Sequence, residues 1–402
     1  MSTGVLYISY DGMLEPLGQS QVLAYLEKLA PGRRIHLISF EKPHDWKDEK
    51  RRATVAGRIA DAGISWHPLR YHKSPSAPAT AFDIAVGTSV AIGLALRHRL
   101  NIVHARSYVA GLMALAVKRA TRAAFLFDMR GFWADERVDG GLWPANGRLY
   151  RSTKKIERRL LLAADHVVTL THASEEELRR LPYLSDQMPP LTVIPTCVDT
   201  ARFVIQGPLQ REPFTLGYIG SVGTWYLLDE MLRCFTALRR HRPGARLLIA
   251  NRAEHDRIRA SAEAHGINPA ELELIAASHA EMPRVIARMT AGMALIKPAY
   301  SKIASAPTKL GEYLGCGVPV LVNRGIGDVA EIVEEHDVGV VLDGFGEAEL
   351  RSGIDRMLAL LSAGELPGRC RAAAEAVFSL EKGVAAYDSI YRSMLSGEGV
   401  AS

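Results

Sequence analysis

Short apolar runs alternate with amphipathic segments along almost the whole chain, and this alternation constrains the fold more than any other feature. The first half holds "VLYISY" (5–10), "RIHLISF" (34–40), "NIVHARS" (101–107), "AAFLFDM" (123–129), "HVVTLT" (166–171) and "LTVIPT" (191–196). The second half holds "FTLGYIG" (214–220), "ARLLIA" (245–250), "LELIAA" (272–277), "AGMALIKP" (291–298), "VPVLVN" (318–323) and "GVVLD" (339–343). These runs are rich in Val, Ile and Leu without polar alternation, as strands covered on both faces require. Between them, segments such as "GQSQVLAYLEKLA" set Val22, Leu23, Leu26, Leu29 and Ala30 on one helical stripe. The order strand–helix–strand predicts an α/β protein of doubly wound parallel sheets.

A chain of 402 residues has room for two such domains. The most linker-like stretch is "FVIQGPLQREPF" (203–214), with Gly, Pro and mixed charge. Ligand loops of a doubly wound sheet lie at the carboxyl ends of its strands, so substrates are expected between the two domains.

Charge and composition narrow the partners. A formal net charge of +5 suits anionic substrates or an anionic surface and is too weak to imply nucleic acid, for which no motif is present. Cys197, Cys234, Cys316 and Cys370 lie far apart without metal-ligand spacing, so they read as buried thiols. The amino terminus runs straight into an apparent strand and lacks the basic start of a signal peptide. The longest uncharged run, "IAVGTSVAIGLAL" (84–96), reads as too short to span a bilayer. The expectation is a soluble, cytoplasmic protein, peripheral to a membrane at most.

One local rule is broken. In "SKIASAPTKLGEYLGCGVPVLVN" (301–323), Pro307 and the residues after it read as the first turn of a helix, yet Lys309 sits there. The helix dipole places about half a positive charge at that end, which disfavours a cation. The helix also starts at the carboxyl end of a strand, with free N–H groups aimed at the ligand side. An anion bound there removes the conflict. Glu312 lies three residues on and shares the face; a carboxylate accepts hydrogen bonds from sugar hydroxyls. Phosphate and hydroxyl recognition together point to a sugar nucleotide. The competing reading is a surface lysine paired with Glu312.

The same stretch resembles the donor-binding region of family-4 glycosyltransferases, which have the GT-B fold. "VIPTCVDTARF" (193–203), "KLGEYLGCGVPVLV", "GIGDVAEIVEEHDVGVVLD" (325–343), "NIVHARSYVAGLMALA" and "FSLEKGVAAYDSIYRSML" (378–395) are each similar to a family block, in the family's order. The resemblance implies an acceptor-side domain (1–203), a nucleotide-sugar-binding domain (204–378) and a closing helix (379–402) crossing back to the first. It implies sugar transfer from a nucleotide-sugar donor to a glycan or lipid-linked acceptor, in building cell-envelope or exopolysaccharide glycans. Anomeric configuration would be retained, with no metal and no cofactor beyond the co-substrate. Lys309, Glu312 and the histidine His104 are then the catalytic candidates. Gly18, Gly220, Arg252, Ser305, Thr308, Lys309 and Glu312 are the donor-binding candidates. Two departures stand out: the first of the family's usual two glutamates is Ala304, and "GSVGTWYLLDEM" lacks its usual cation, which Lys309 and Arg252 would replace.

On the acceptor side, Arg106 stands where a second histidine often occurs. "FDMRGFWADERVDGGLW" (127–143) crowds charge beside tryptophans, and Arg130, Trp133, Asp135 and Glu136 form either a sugar-recognition loop or a salt-bridged loop anchored by tryptophan. In "RLYRSTKKIERRLLLAADH" (148–166), Arg148, Arg151, Lys155 and Arg158 fall on one helical face, with Leu149, Ile156, Leu160 and Leu161 expected inward. That face is either solvated or a dock for anionic lipid. Two rivals to the transferase are a sugar-nucleotide epimerase of the same shape and a non-catalytic nucleotide-sugar-binding subunit.

Overall fold

The computed structural model describes residues 3–207, 213–362 and 364–396. The chain divides into two units, one formed by residues 1–194 with 380–402 and the other by 195–379. The first unit is built on seven parallel strands: β1 (Thr3–Ser9), β2 (Arg33–Glu41), β3 (Ser65–Arg70), β4 (Ile102–Arg106), β5 (Ala124–Asp128), β6 (His166–Thr169) and β7 (Leu191–Val193). Their order is β3-β2-β1-β4-β5-β6-β7. Strand order reverses between β1 and β4, which opens a crevice at their carboxyl ends. The apolar runs named above supply six of these strands. The seventh, β3, was not anticipated: "SWHPLR" is a half-exposed edge strand, where Pro68 and mixed polarity are tolerated.

Helices α1 (Ala24–Leu29), α2 (Ser76–His98), α3 (Ser107–Thr121), α4 (Trp133–Asp139) and α5 (Arg148–Ala163) belong to this unit. Helix α2 packs on β1 and β2, α3 on β1, β4 and β5, and α5 on β5, with α3 touching both of the others. They therefore form one layer on one sheet face. Glycines set the spacing: a Cβ on Gly87 would lie 2.6 Å from Met113 Sδ, and one on Gly111 would lie 2.9 Å from Leu160 Cδ1.

Helix α2 corrects one expectation. The uncharged run lies inside a 23-residue helix, because Asp83 is buried and neither ends nor exposes it. Its carboxylate accepts from Tyr10 Oη at 2.8 Å and from the His72 backbone N–H at 3.0 Å. Among the described residues this helix is long and apolar enough to cross a membrane by length and composition. It is nevertheless seated on the sheet through Ala79, Asp83, Gly87, Ala91 and Ala95.

Three histidines stack beside this layer: His36 lies 4.2 Å from the His98 ring and meets His67 with Nδ1···Nε2 at 3.1 Å. Burial and the two neighbours push His36 down to about 4, and burial alone does the same to His166. Both groups are neutral when folded and take up a proton more readily when unfolded. Their neutral burial is therefore fully tolerated above the ordinary histidine value of 6.5, and stability is lost as pH falls from there toward 4. We expect the thermal midpoint to fall over that window and the fall to be shallower in His36→Gln; an unchanged slope in the variant would assign the loss elsewhere.

The second unit holds β8 (Thr215–Ile219), β9 (Arg246–Ala250), β10 (Leu272–Ile275), β11 (Ala291–Ala294), β12 (Val320–Asn323) and β13 (Gly339–Leu342), ordered β10-β9-β8-β11-β12-β13 and all parallel. Apolar clusters cover both sheet faces. Helix α6 (Thr308–Gly315) follows β11. The unit begins earlier than the boundary set at 203/204, because Val198 donates its N–H to Phe378 at 2.7 Å and Phe203 joins the second unit's core. Of the linker-like stretch, residues 208–212 lie outside the described residues. All four cysteines are free and buried. Helix α7 (Leu380–Ser396) then returns to the first unit, packing on α1.

Candidate functional site

In the second unit the crevice lies where β8 and β11 part. Tyr313 of α6 spans the gap: its hydroxyl accepts from Ile219 N–H at 2.9 Å and donates to the Met293 carbonyl at 3.3 Å. Gly292 makes room for the ring, since a Cβ there would lie 2.8 Å from it. This anchor fixes the start of α6 beside the loop that follows β8. Pro307 gives the helix no side-chain cap. The Ser305 and Thr308 hydroxyls, both half-buried near that start, make no protein hydrogen bond among the described residues.

Lys309 is buried at 7% exposure. Its Nζ donates to Tyr218 Oη at 2.9 Å and lies 3.7 Å from the Tyr226 ring centroid and 4.2 Å from that of Tyr218. Tyr218 Oη in turn donates to the Ser221 carbonyl. The cation thus sits in an aromatic cage. Burial holds its pKa well below the ordinary lysine value, and Glu312 only partly opposes this. The pairing of Lys309 with Glu312 does not form; Glu312 faces His279, with Nε2 3.4 Å away. Gly220 has φ +117°, and a Cβ there would lie 3.3 Å from Lys309 Nζ, so glycine keeps backbone and ammonium close.

Arg252 is exposed on the loop after β9 and is not drawn into this cluster. Its neighbour Asn251 is, donating to the Gly220 carbonyl at 3.0 Å and to Glu254 at 2.9 Å. Glu254 also accepts Val222 N–H at 2.9 Å and so shapes the loop. Lys302 stands 3.7 Å over the Trp225 ring, a second buried cation beside the same loop. Ala304 is buried. The cage residues Tyr218 and Tyr226, Trp225 beneath Lys302, and the Glu312 partner His279 are not marked in the sequence, because none belongs to a spaced motif. A lysine with no acidic partner among the described residues, an uncapped helix start and free hydroxyls together can hold a phosphate or diphosphate.

The first unit's crevice is also charged. Asp128, at the end of β5, and His104, in the middle of β4, are each 1% exposed. Burial would raise the Asp128 carboxyl, but the charges of Arg130 and Arg106, with His104 beside it, hold it below its usual value. Arg106 lies 3.7 Å from Asp128 and 3.3 Å from Asp11; Arg130 lies 3.7 Å from Asp128. Tyr387 of α7 donates to Asp128 at 3.2 Å, and His104 Nδ1 meets Tyr391 Oη at 2.7 Å. Burial keeps His104 neutral, and its Nε2 has no hydrogen-bond partner at 3.9 Å from Asp128. Ser107 and Arg130 have φ +68° and +63°, backbone strain at two strand ends of one crevice. Asp11, Tyr387 and Tyr391 are additions to the residues read from sequence.

Gly18 lies in the turn Pro16–Gly18, where a Cβ would overlap the Gly12 carbonyl, so the packing of its own loop requires glycine there. That loop is pinned from the far side by Glu41, which accepts Met13 N–H at 2.8 Å and Leu14 N–H at 3.1 Å. Asp135 is committed to Tyr150 at 2.9 Å and Lys154 at 3.0 Å, and Trp133 packs against Trp143 and Tyr108. With Glu136 half-buried on α4, this segment is the tryptophan-anchored, salt-bridged alternative rather than part of the Arg106–Arg130 cluster. On α5, Leu160 and Leu161 pack inward, but Leu149 is 55% exposed among the cations.

Residues 18–202 match the family model described as Glycosyltransferase Family 4, and residues 201–377 match that described as Glycosyl transferases group 1. No curated protein sequence matches the chain. Among solved structures it is similar to sucrose-phosphate synthase from Thermosynechococcus elongatus, at TM-score 0.74 and 14% identity, covering 98% of this chain and 100% of that one. A glycosyltransferase from Rickettsia africae gives TM-score 0.72 at 14% identity, over 99% and 100%. HepE of Anabaena in complex with UDP-glucose gives 0.67 at 14% identity, over 98% and 99%.

Proposed function

Because the chain belongs to the glycosyltransferases, with a family-4 domain followed by a group-1 domain in the GT-B fold, we propose that it retains anomeric configuration while transferring a sugar from a nucleotide-sugar donor to a glycan or lipid-linked acceptor. The observation that carries this reading is Lys309, caged and buried without an acidic partner at an uncapped helix start. The donor diphosphate supplies the missing negative charge. In the reaction the bond from the anomeric carbon to the diphosphate oxygen breaks, its electron pair leaving with the diphosphate. A new bond forms to the acceptor hydroxyl oxygen, which gives up its proton. Lys309 and the helix N–H groups stabilise the leaving group electrostatically, with Lys302 adding charge nearby.

Glu312, oriented by His279, accepts hydrogen bonds from donor hydroxyls. Arg130 and Asp11 sit at the mouth of the Asp128 cluster and bind the acceptor, while His104, enclosed, holds that cluster in place. We place the enzyme in the cytoplasm at the inner membrane face, building envelope or extracellular polysaccharide. The UDP-glucose held by HepE makes uridine diphosphate sugars the first donors to try.

Screening nucleotide sugars for thermal stabilisation tests the donor, since a ligand at 100 times its dissociation constant adds about 2.7 kcal/mol. Proton NMR of the first product tests the stereochemistry. The donor's configuration is expected at the new linkage; inversion would reject the retaining mechanism. Nucleotide sugars that leave the melting point unmoved would reject the donor reading.

A further inference from the structure

The helix layer of the first unit has two unusual outer faces. Helix α2 buries every fourth residue from Ala79 to Ala95 and turns Phe82, Ala85, Ser89, Gly93 and Leu96 outward. Phe82 is 56% exposed and Leu96 58%, and only 28% of the most apolar window of this helix is buried. No charged residue occurs from 84 to 96, whereas the solvent face of an ordinary amphipathic helix is charged. Cations bracket the run: Lys73 before it, Arg97 and Arg99 after it, all exposed.

Helix α5, across α3 in the same layer, presents the complementary chemistry. Arg148, Arg151, Lys155 and Arg159 are exposed, and none forms an ion pair among the described residues. Lys154, on the inner side, is the lysine that pairs, with Asp135 and Glu157. Leu149 and Leu162 lie exposed among these cations.

The geometry points to one docking surface for an anionic lipid bilayer, in which α2 lies flat and inserts Phe82 and Leu96 while α5 meets lipid phosphates. This rests on the proposed function only in that a lipid-linked acceptor would be reached there. Charge decides against a second copy as occupant: the acidic residues on α2, α3 and α5 are Asp83 and Glu157, both buried, so a two-fold contact through this layer would leave the cations of each copy without counter-charge. Flat docking rather than spanning follows from Asp83 and the small residues that already hold α2 on the sheet. In-plane helices bind by combining apolar insertion with attraction to anionic headgroups.

The test uses the full chain with vesicles of phosphatidylcholine alone and of phosphatidylcholine with phosphatidylglycerol in equal parts, in a flotation assay. Binding is expected on the anionic vesicles and to weaken with salt, as screening shortens to about 3 Å at 1 M. Each surface cation removed should cost roughly fivefold in affinity, so Arg148→Ser, Arg151→Ser and Lys155→Ser together should cost roughly a hundredfold. Phe82→Ser with Leu96→Ser should abolish the fraction that survives high salt. Equal binding to neutral vesicles, or binding unmoved by either set of variants, would overturn the proposal. So would a soluble dimer that Phe82→Ser dissociates, since a second copy would then own the face. Uridine diphosphate titration of the same variants keeps the two readings apart. Intact nucleotide binding with weakened vesicle binding is the expected result for both variant sets, whereas wild type that binds nucleotide and no vesicle rejects the docking surface alone.

Discussion

Lys309→Ala is expected to weaken binding of uridine diphosphate and of the nucleotide sugar alike, by roughly 10- to 100-fold, the worth of a charge-assisted hydrogen bond. The ligand-free protein should stay folded, so that binding can be measured. Relief of the buried charge opposes the loss of the Tyr218 bond, the two ring contacts and the packing of the lysine stem, while the Tyr218–Ser221 bond remains to hold the loop. The variant should gain much less thermal stabilisation from ligand than wild type does. The pH dependence has a definite sign. Lys309 has a pKa well below 10.5 when free, and a bound diphosphate raises it, so affinity should fall with rising pH well before 10.5 is reached. Calorimetric titration across pH measures both effects. An affinity within twofold of wild type would remove Lys309 from the diphosphate site.

The second large effect concerns stability. Asp128→Ala leaves Arg106 and Arg130 beside a vacancy with no carboxylate between them, and breaking a buried pair in this way costs about 3–5 kcal/mol. For a unit of this size that lowers the melting point by roughly 10 °C. Because the folded carboxyl is held below its usual value, its contribution is fully present above 3.8 and vanishes as pH falls through the lower folded value. The difference between variant and wild type should accordingly shrink in acid. Asp128→Asn keeps the shape and the bond from Tyr387, so it provides a folded comparison should the alanine variant be too unstable to purify. A loss below about 1 kcal/mol in both would mean that the two arginines find their main partners elsewhere, such as Asp11.

The sheets were legible because parallel strands buried on both faces must be continuously apolar. Strand β3 was not, because an edge strand is freed from that demand. Lys309 was legible because it contradicts the dipole of its own helix. The cage around it was not: Tyr218 and Tyr226 come from β8 and the loop after it, some ninety residues earlier, and nothing in their spacing marks them. The same holds for Tyr387 and Tyr391, whose partners Asp128 and His104 lie more than 250 residues away. The length of α2 was hidden by Asp83, since a charged residue ends an apolar run in sequence even when the fold buries and satisfies it.

The return of α7 to the first unit has a consequence for biosynthesis. A ribosome delivers residues 1–194 first and 380–402 last, with the whole second unit made in between. During that interval Asp128 and His104 lack Tyr387 and Tyr391, and the surface of α1 that receives α7 stands uncovered. The crevice of the first unit is therefore finished only after the second unit has been synthesised. Docking of α7 is thus a late step in folding of the first unit, and a chain ended before residue 380 would leave the Asp128–His104 cluster without its two tyrosine partners.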